Sequence, residues 1–289
     1  MKSSQSLVSS DWLAQRLENP DVAVLDASRH LPATGRDPRA EYEAAHIPGA
    51  RFLDLASLTD PASPVPAALP TGEQVSARLA ALGVAPDAGI VLYDDSDVKT
   101  AARAWFALAE AGRERVAILD GGLATWRAEG RPLESGPRAV ERAEPAMLHA
   151  ARRVRSKAEM LANLDSRAEQ VLDARGADRV FGTGEDPVHG GPNGRIPGSE
   201  NLPYGELFAK DGRFKSPQEL RAAFEAAGID LARPVVTTCG SGVTASVLLF
   251  ALHLIGKDDT ALYDGSWMEW GADPDTPKAQ GPKAQGPGA

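Results

Sequence analysis

Residues 235–244 read Val235-Val236-Thr237-Thr238-Cys239-Gly240-Ser241-Gly242-Val243-Thr244, and an apolar run continues to Leu254. This pattern predicts a β-strand that enters a glycine-containing loop and then a helix. The two glycines lack the Cβ atoms that would keep successive backbone N–H groups from turning toward one point, and the helix adds its positive N-terminal end. That point is Sγ of Cys239. The environment favours the thiolate and predicts a nucleophile. The alternative is a buried core cysteine beside a turn.

The composition narrows the class of protein. With 289 residues, 43% hydrophobic and 25% charged, the chain can form two globular domains with real cores. A net charge of −9 argues against a nucleic-acid surface as the main function. The single cysteine excludes an internal disulfide and fits a reducing compartment. The polar start of the chain and the lack of a long apolar run predict a cytoplasmic protein without membrane contact.

Metal and cofactor sites are not expected. One cysteine and five scattered histidines make no zinc pattern. Four of the histidines show no ligand spacing and are interpreted as surface or core residues: His30, His149, His189 and His253.

An internal repeat accounts for nearly the whole chain. Each copy has a short strand ending in an acid (Asp26, Asp173), an Ile-Pro-Gly segment, and a helix that starts with a capping box and ends at glycine. The helix starts at Thr71 and Ser216 are 145 residues apart (216 − 71), as are the stops at Gly83 and Gly228 (228 − 83). The same offset pairs Cys239 with Asp94, and Asp120-Gly121-Gly122 resembles Asp264-Gly265-Ser266.

The repeat predicts two α/β domains, each a mostly parallel sheet flanked by helices. The predicted boundaries are a first domain at 1–134, a linker at 135–154, a catalytic domain at 155–273 and a mobile tail at 274–289. In open parallel sheets the ligand site lies at the carboxyl ends of strands, and Cys239 follows such an end.

The repeat and the Cys239-Gly240-Ser241-Gly242-Val243-Thr244 loop resemble the two-domain rhodanese superfamily, and within it the 3-mercaptopyruvate sulfurtransferases. Further matching segments are Arg36-Asp37, His46-Ile47-Pro48-Gly49-Ala50, Asp173-Ala174-Arg175, Gly182-Thr183 and Asp264-Gly265-Ser266-Trp267. In this family only the second domain carries the catalytic cysteine. Since Asp94 stands at the corresponding place, the first domain is expected to be a scaffold and one wall of the cleft.

The resemblance implies a reaction without a cofactor. The Cys239 thiolate takes the sulfur of 3-mercaptopyruvate, pyruvate leaves, and the persulfide passes its sulfur to cyanide, a thiol or a small redox protein such as a thioredoxin. Thiosulfate-using relatives carry basic residues after the cysteine, whereas Gly240 and Ser241 are neutral. The neutral loop favours a donor with a single carboxylate. The chain is expected to be a monomer or a weak dimer.

The resemblance also implies site residues. Ser241, His46 and Asp37 match a catalytic triad that relays a proton, although His46 could instead help to dock the two domains. The substrate-binding set comprises Arg179, Arg195 and the loop residues Gly240, Gly242, Val243 and Thr244. Arg179 matches a substrate arginine, but Val188 stands where the family has a second one. Arg195 is the candidate replacement, with a surface loop residue as the alternative.

Other activities remain open at this stage. A thiosulfate:cyanide sulfurtransferase would be expected to have a basic loop, and a persulfide carrier for a dedicated partner would turn over small acceptors slowly. A cysteine phosphatase needs an arginine six residues after the cysteine, where this chain has Ala245. An inactive protein does not fit a loop that keeps its cysteine and both glycines.

Overall fold

The computed structural model describes residues 5–282 and divides into two compact units. The first is formed by the chain up to Ala62, by Ala68–Arg152 and by Phe208–Phe214. The second is formed by Ser63–Ala67, by Arg153–Leu207 and by the chain from Lys215 onward.

The first unit is a five-stranded parallel sheet with strand order β1-β5-β4-β2-β3. Its strands are β1 (Leu7–Val8), β2 (Val22–Asp26), β3 (Arg51–Phe52), β4 (Gly89–Tyr93) and β5 (Val116–Leu119). Its helices are α1 (Ser10–Ala14), α2 (Pro38–Ala44), α3 (Gly72–Ala81), α4 (Ala101–Glu110) and α5 (Gly122–Ala128), with a 3-10 turn at Pro32–Thr34.

The second unit repeats this arrangement with the order β6-β10-β9-β7-β8, again all parallel. Its strands are β6 (Val154–Arg155), β7 (Gln170–Asp173), β8 (Glu200–Asn201), β9 (Val235–Thr238) and β10 (Thr260–Tyr263). Its helices are α6 (Lys157–Ser166), α7 (Ala177–Phe181), α8 (Pro217–Ala226), α9 (Val243–Leu254) and α10 (Ser266–Trp270), with a 3-10 turn at Tyr204–Leu207. The predicted fold class, tandem parallel α/β domains, is confirmed.

The residues that the repeat predicts at the start and end of one helix in each copy have those positions in the structure. Thr71 and Ser216 each form a full capping box at the start of α3 and α8. Gly83 and Gly228 follow those helices with left-handed φ angles of 65° and 89°, which a residue without a Cβ adopts readily.

The cores lie between the sheets and their helices. Trp126 is fully buried in the first unit and donates from Nε1 to the Pro132 carbonyl at 2.8 Å. Trp267 is 3% exposed in the second unit and donates to the Pro192 carbonyl at 2.9 Å. Both tryptophans therefore have a structural role in the core of their unit. None of the helices within residues 5–282 is long and apolar enough to cross a membrane.

The predicted linker and tail are both bonded to a unit. Residues 135–153 contain no helix or strand. Their backbone bonds to α2, α3 and α4 of the first unit and, at the Arg153 carbonyl, to Leu262 of the second. Residues 274–282, predicted as part of a mobile tail, are instead fixed to the second unit. Thr276 donates to the Trp270 carbonyl, and Ala279 pairs with Arg195. The prediction is corrected for these residues because backbone and side-chain bonds hold them; residues 283–289 of the predicted tail lie outside the described residues.

Asp94 follows the central strand of the first unit as Cys239 follows that of the second. Its carboxylate accepts the N–H of Ala101 at 2.5 Å and of Ser96 at 3.4 Å. Burial nevertheless raises the pKa of Asp94 to about 6, against the partial opposition of these bonds and of Lys99. The folded chain thus holds a proton on Asp94 that the unfolded chain releases near its ordinary pKa.

We expect Asp94 to make stability fall as the pH rises. Its contribution is present below pH 3.8 and is lost as the pH rises through about 6, an effect of about 3 kcal/mol. Urea unfolding of wild type and Asp94→Asn across this range should show the variant gaining stability relative to wild type as the pH rises. Asp87→Asn, an exposed position before the same strand, is the control and should run parallel to wild type. Parallel curves for Asp94→Asn would contradict the prediction.

Candidate active site

Cys239 lies directly after the central strand β9 and is 2% exposed. Its N–H donates to the Ser266 hydroxyl at 3.2 Å, and its carbonyl accepts the N–H of Trp267 at 3.0 Å. The Gly240 carbonyl accepts the N–H of Met268 at 2.9 Å. The loop is therefore fastened to the start of α10, which the sequence analysis did not assign to the site.

Ser266 lies at the start of α10, and Gly242 lies directly before α9. Ser266 has a left-handed φ of 49° and donates from its hydroxyl to the Tyr263 carbonyl at 2.9 Å. Gly242, with φ 76°, is the residue before α9, and its carbonyl accepts the Ser246 hydroxyl at 2.8 Å. Of the other predicted loop residues, Ser241, Val243 and Thr244 are partly exposed at the start of that helix. The strand-loop-helix predicted from sequence is confirmed.

Arg179, on α7, lies beside the cysteine loop. A Cβ placed on Gly240 would be 3.3 Å from Arg179 Nη2. The Arg179 guanidinium binds Asp186 through Nε at 3.0 Å and Nη2 at 2.7 Å. Only one edge of the guanidinium faces Asp186, so its other edge carries N–H donors that Asp186 does not use.

Asp186 bonds to Arg179 and to two backbone amides beside the cysteine loop, and it was not among the residues predicted from the sequence. Its side chain is fully buried and also accepts the N–H groups of Val188 at 2.9 Å and His189 at 3.3 Å. Burial opposes its ionisation, but the bonds from Arg179 and the two amides outweigh burial and lower the pKa of Asp186. A carboxylate is thus kept charged at neutral pH.

Arg175 adds a second buried cation. Its side chain is 1% exposed, and it binds Asp173 with Nη2 at 2.6 Å and the Gly194 carbonyl at 2.7 Å. Its Nη1 lies 3.6 Å from an Asp186 oxygen, and its guanidinium lies 4.6 Å from the Trp267 ring centroid. Burial works against its charge, but Asp173, Asp186 and Cys239 raise the pKa of Arg175. An electrostatic interaction thus links Arg175 with Cys239.

The Arg195 side chain contacts other parts of the second unit. It is 6% exposed, donates to the Gly281 carbonyl at 2.7 Å, and its guanidinium lies 4.8 Å from the Phe181 ring centroid. These contacts give Arg195 a structural role in holding the C-terminal segment. Its assignment as a substrate arginine stays a prediction.

His46 and Asp37 belong to the first unit. His46 is 1% exposed, stacks on Tyr42 at 4.2 Å and bonds through Nδ1 to the Tyr42 carbonyl at 2.7 Å. The Asp37 carboxylate caps α2 by accepting the N–H groups of Arg39 and Ala40. Each residue has a local structural role, and their proton relay with Ser241 stays a prediction.

His189, interpreted from the sequence as a surface or core residue, is partly exposed and lies against the cysteine loop. A Cβ on Gly240 would lie 2.0 Å from His189 Nε2 and 2.2 Å from its Cδ2. The available signal was its position next to Val188, where the family arginine is missing. Across residues 5–282, no three His, Cys, Asp or Glu side chains group so as to hold a metal ion.

The fold is that of known proteins. Residues 9–129 and 156–273 each match the rhodanese-like domain. The 3-mercaptopyruvate sulfurtransferase of Mus musculus is 40% identical over 272 residues, covering 92% of this chain and 92% of the relative. The thiosulfate sulfurtransferase of Bos taurus is 39% identical over 289 residues, with 96% of both chains covered.

A solved structure shows the same fold. The crystal structure of SseA from Escherichia coli, described in terms of the rhodanese fold of 3-mercaptopyruvate sulfotransferases, matches with a TM-score of 0.83 and 35% identity. The match covers 91% of this chain and 99% of SseA. The chain belongs to the rhodanese family and contains two rhodanese-like domains.

Proposed function

We propose that this chain is a sulfurtransferase that takes sulfur from 3-mercaptopyruvate through a persulfide on Cys239 and releases pyruvate. The observation that carries the proposal is the Arg179 guanidinium beside the neutral Gly240-Ser241 segment, next to the only cysteine. A planar cation at this place suits the carboxylate of an α-keto acid. Relatives at 40% identity that bear this activity in their names support it.

The reaction balances with one covalent intermediate. The Cys239 thiolate attacks the substrate sulfur, an S–S bond forms, and the C–S bond breaks with its electron pair going to carbon. The resulting enolate of pyruvate takes up the proton that the substrate thiol gives up. A persulfide anion remains on Cys239, and an acceptor nucleophile then takes its outer sulfur and regenerates the thiolate.

Fixed positive charge and amide dipoles support the anionic sulfur of both stages. Arg175 interacts electrostatically with Cys239, and the N-terminus of α9 directs its positive end to the loop. The Cys239 amide is already bonded to Ser266. The amides that stabilise the outer sulfur are therefore those of the residues that follow, Gly240 to Thr244.

The acceptor proposed is a thiol, cyanide or the dithiol of a small redox protein such as a thioredoxin, because a persulfide transfers its outer sulfur to any accessible thiolate. A cytoplasmic location is proposed with it. The lone cysteine has to be reduced to act, and a reducing compartment keeps it so.

Brief exposure to each donor without an acceptor tests the function. The intact mass of the protein should increase by one sulfur with 3-mercaptopyruvate, and pyruvate should appear in an equal amount. Thiosulfate should load the protein much more slowly. Loading by thiosulfate alone would make this chain a thiosulfate sulfurtransferase like its Bos taurus relative, and no loading by either donor would refute the enzymatic proposal.

A further inference from the structure

The site as predicted from sequence has one fixed cation for the substrate carboxylate where the resemblance implies two. Val188, at the place of the second arginine, is apolar and 42% exposed. Arg195 donates to the Gly281 carbonyl and packs on Phe181. A carboxylate has two oxygens, and a second donor beside Arg179 would hold the donor molecule in one orientation.

His189 stands where such a donor is needed. Its Nε2 lies 2.0 Å, and Arg179 Nη2 lies 3.3 Å, from the point where a Cβ on Gly240 would be. The imidazole and the guanidinium therefore flank the residue that directly follows Cys239. A side chain on Gly240 cannot coexist with the imidazole in this position, so this glycine leaves room for the histidine.

Asp186 positions both groups. Its carboxylate binds the Arg179 guanidinium and accepts the backbone N–H of His189. Its backbone carbonyl accepts the N–H of Gly190, which closes a turn around the histidine. One buried carboxylate therefore binds the Arg179 guanidinium and the backbone of the residue that carries the imidazole, which places both residues beside Gly240.

We propose that His189 binds the carboxylate of the sulfur donor through Nε2 and, with Arg179, selects α-keto acid donors. This inference rests on the proposed function. Nε2–H donates from the neutral ring, and the bond is strengthened when the ring is protonated. The charged and titratable groups near His189 include Arg179, beside Gly240, and Asp186, which binds the His189 backbone. Arg175 also contacts Asp186, and Cys239 directly precedes Gly240.

The test compares His189→Phe, which keeps a ring without a donor, with His189→Gln, which keeps a neutral donor. His189→Phe should raise the KM for 3-mercaptopyruvate about tenfold, as expected for one lost hydrogen bond to a charged group, with a smaller change in kcat. His189→Gln should restore most of the affinity. His253→Phe, the same change on α9 where His253 pairs with Asp258, is the matched control and should leave the KM unchanged.

The pH dependence separates binding from a structural role. In wild type the KM should rise with pH as the His189 ring loses its proton, and in His189→Gln, which has no titrating ring, this rise should be reduced. An unchanged KM in His189→Phe, or equal losses in Phe and Gln with identical pH profiles, would overturn the inference. Wild type that forms no persulfide from 3-mercaptopyruvate would refute the proposed function instead.

Discussion

Replacing Cys239 by alanine should abolish sulfur transfer, with a loss of turnover of about 10³-fold or more, as for other removed nucleophiles. The reason is that Cys239 is the only cysteine, so no other thiolate can carry the sulfur. The fold should survive, because the change removes one buried atom from a loop that is held by backbone bonds to Ser266 and Met268. Pyruvate release and intact mass after exposure to 3-mercaptopyruvate measure the effect.

Cys239→Ser is the companion variant, since it keeps the shape of the side chain but replaces the thiol by a hydroxyl that offers no thiolate. It should be as inactive as Cys239→Ala and should unfold at nearly the same denaturant concentration as wild type. Turnover that persists in either variant would show that the sulfur does not pass through this residue.

Replacing Arg179 by methionine should raise the KM for 3-mercaptopyruvate by about 10- to 100-fold. Hydrogen bonds to charged groups contribute about 1.5–3 kcal/mol, and each 1.4 kcal/mol corresponds to a factor of about ten. The variant also leaves Asp186, whose side chain is fully buried, without its bidentate partner. A decrease in the free energy of unfolding is therefore expected together with the loss of affinity, because an uncompensated buried charge is costly.

Two further variants separate substrate binding from stability. Arg179→Lys keeps the charge but not the planar fork, so its KM should lie between those of wild type and Arg179→Met. Arg233→Met removes an exposed arginine that donates to the Arg167 carbonyl in the same unit, and its KM should match wild type. If Arg179→Met lowers stability while its KM is unchanged, Arg179 supports Asp186 and does not bind the substrate.

The parts of the fold that follow from neighbouring residues were predictable from the sequence. A capping box depends on residues three positions apart, and a strand-loop-helix around Cys239 depends on one continuous stretch. Because the repeat spans nearly the whole chain, the same local patterns predicted both domains. The two sheets have equivalent strand orders. The placement of Asp94 after β4 confirms the pairing of the two copies.

Contacts between distant parts of the chain were not predictable in the same way. Arg195 was a candidate for the substrate because of its place before Ile-Pro-Gly, but its guanidinium donates to the Gly281 carbonyl. The segment around Thr276 was predicted to be mobile from its composition, yet its hydroxyl bonds to the Trp270 carbonyl. The backbone of Arg195 also pairs with that of Ala279, so partners far along the sequence join these two segments.

The sequence by itself determined the tandem α/β fold and the position of the nucleophile, because periodicity, caps and the glycine loop are encoded in short stretches. Only the tertiary structure decided what surrounds Cys239. Ser266 fastens its loop, Asp186 holds Arg179, and the His189 ring lies on Gly240. These residues belong to separate segments that follow different strands of one sheet, and only the packing of the second unit brings them together.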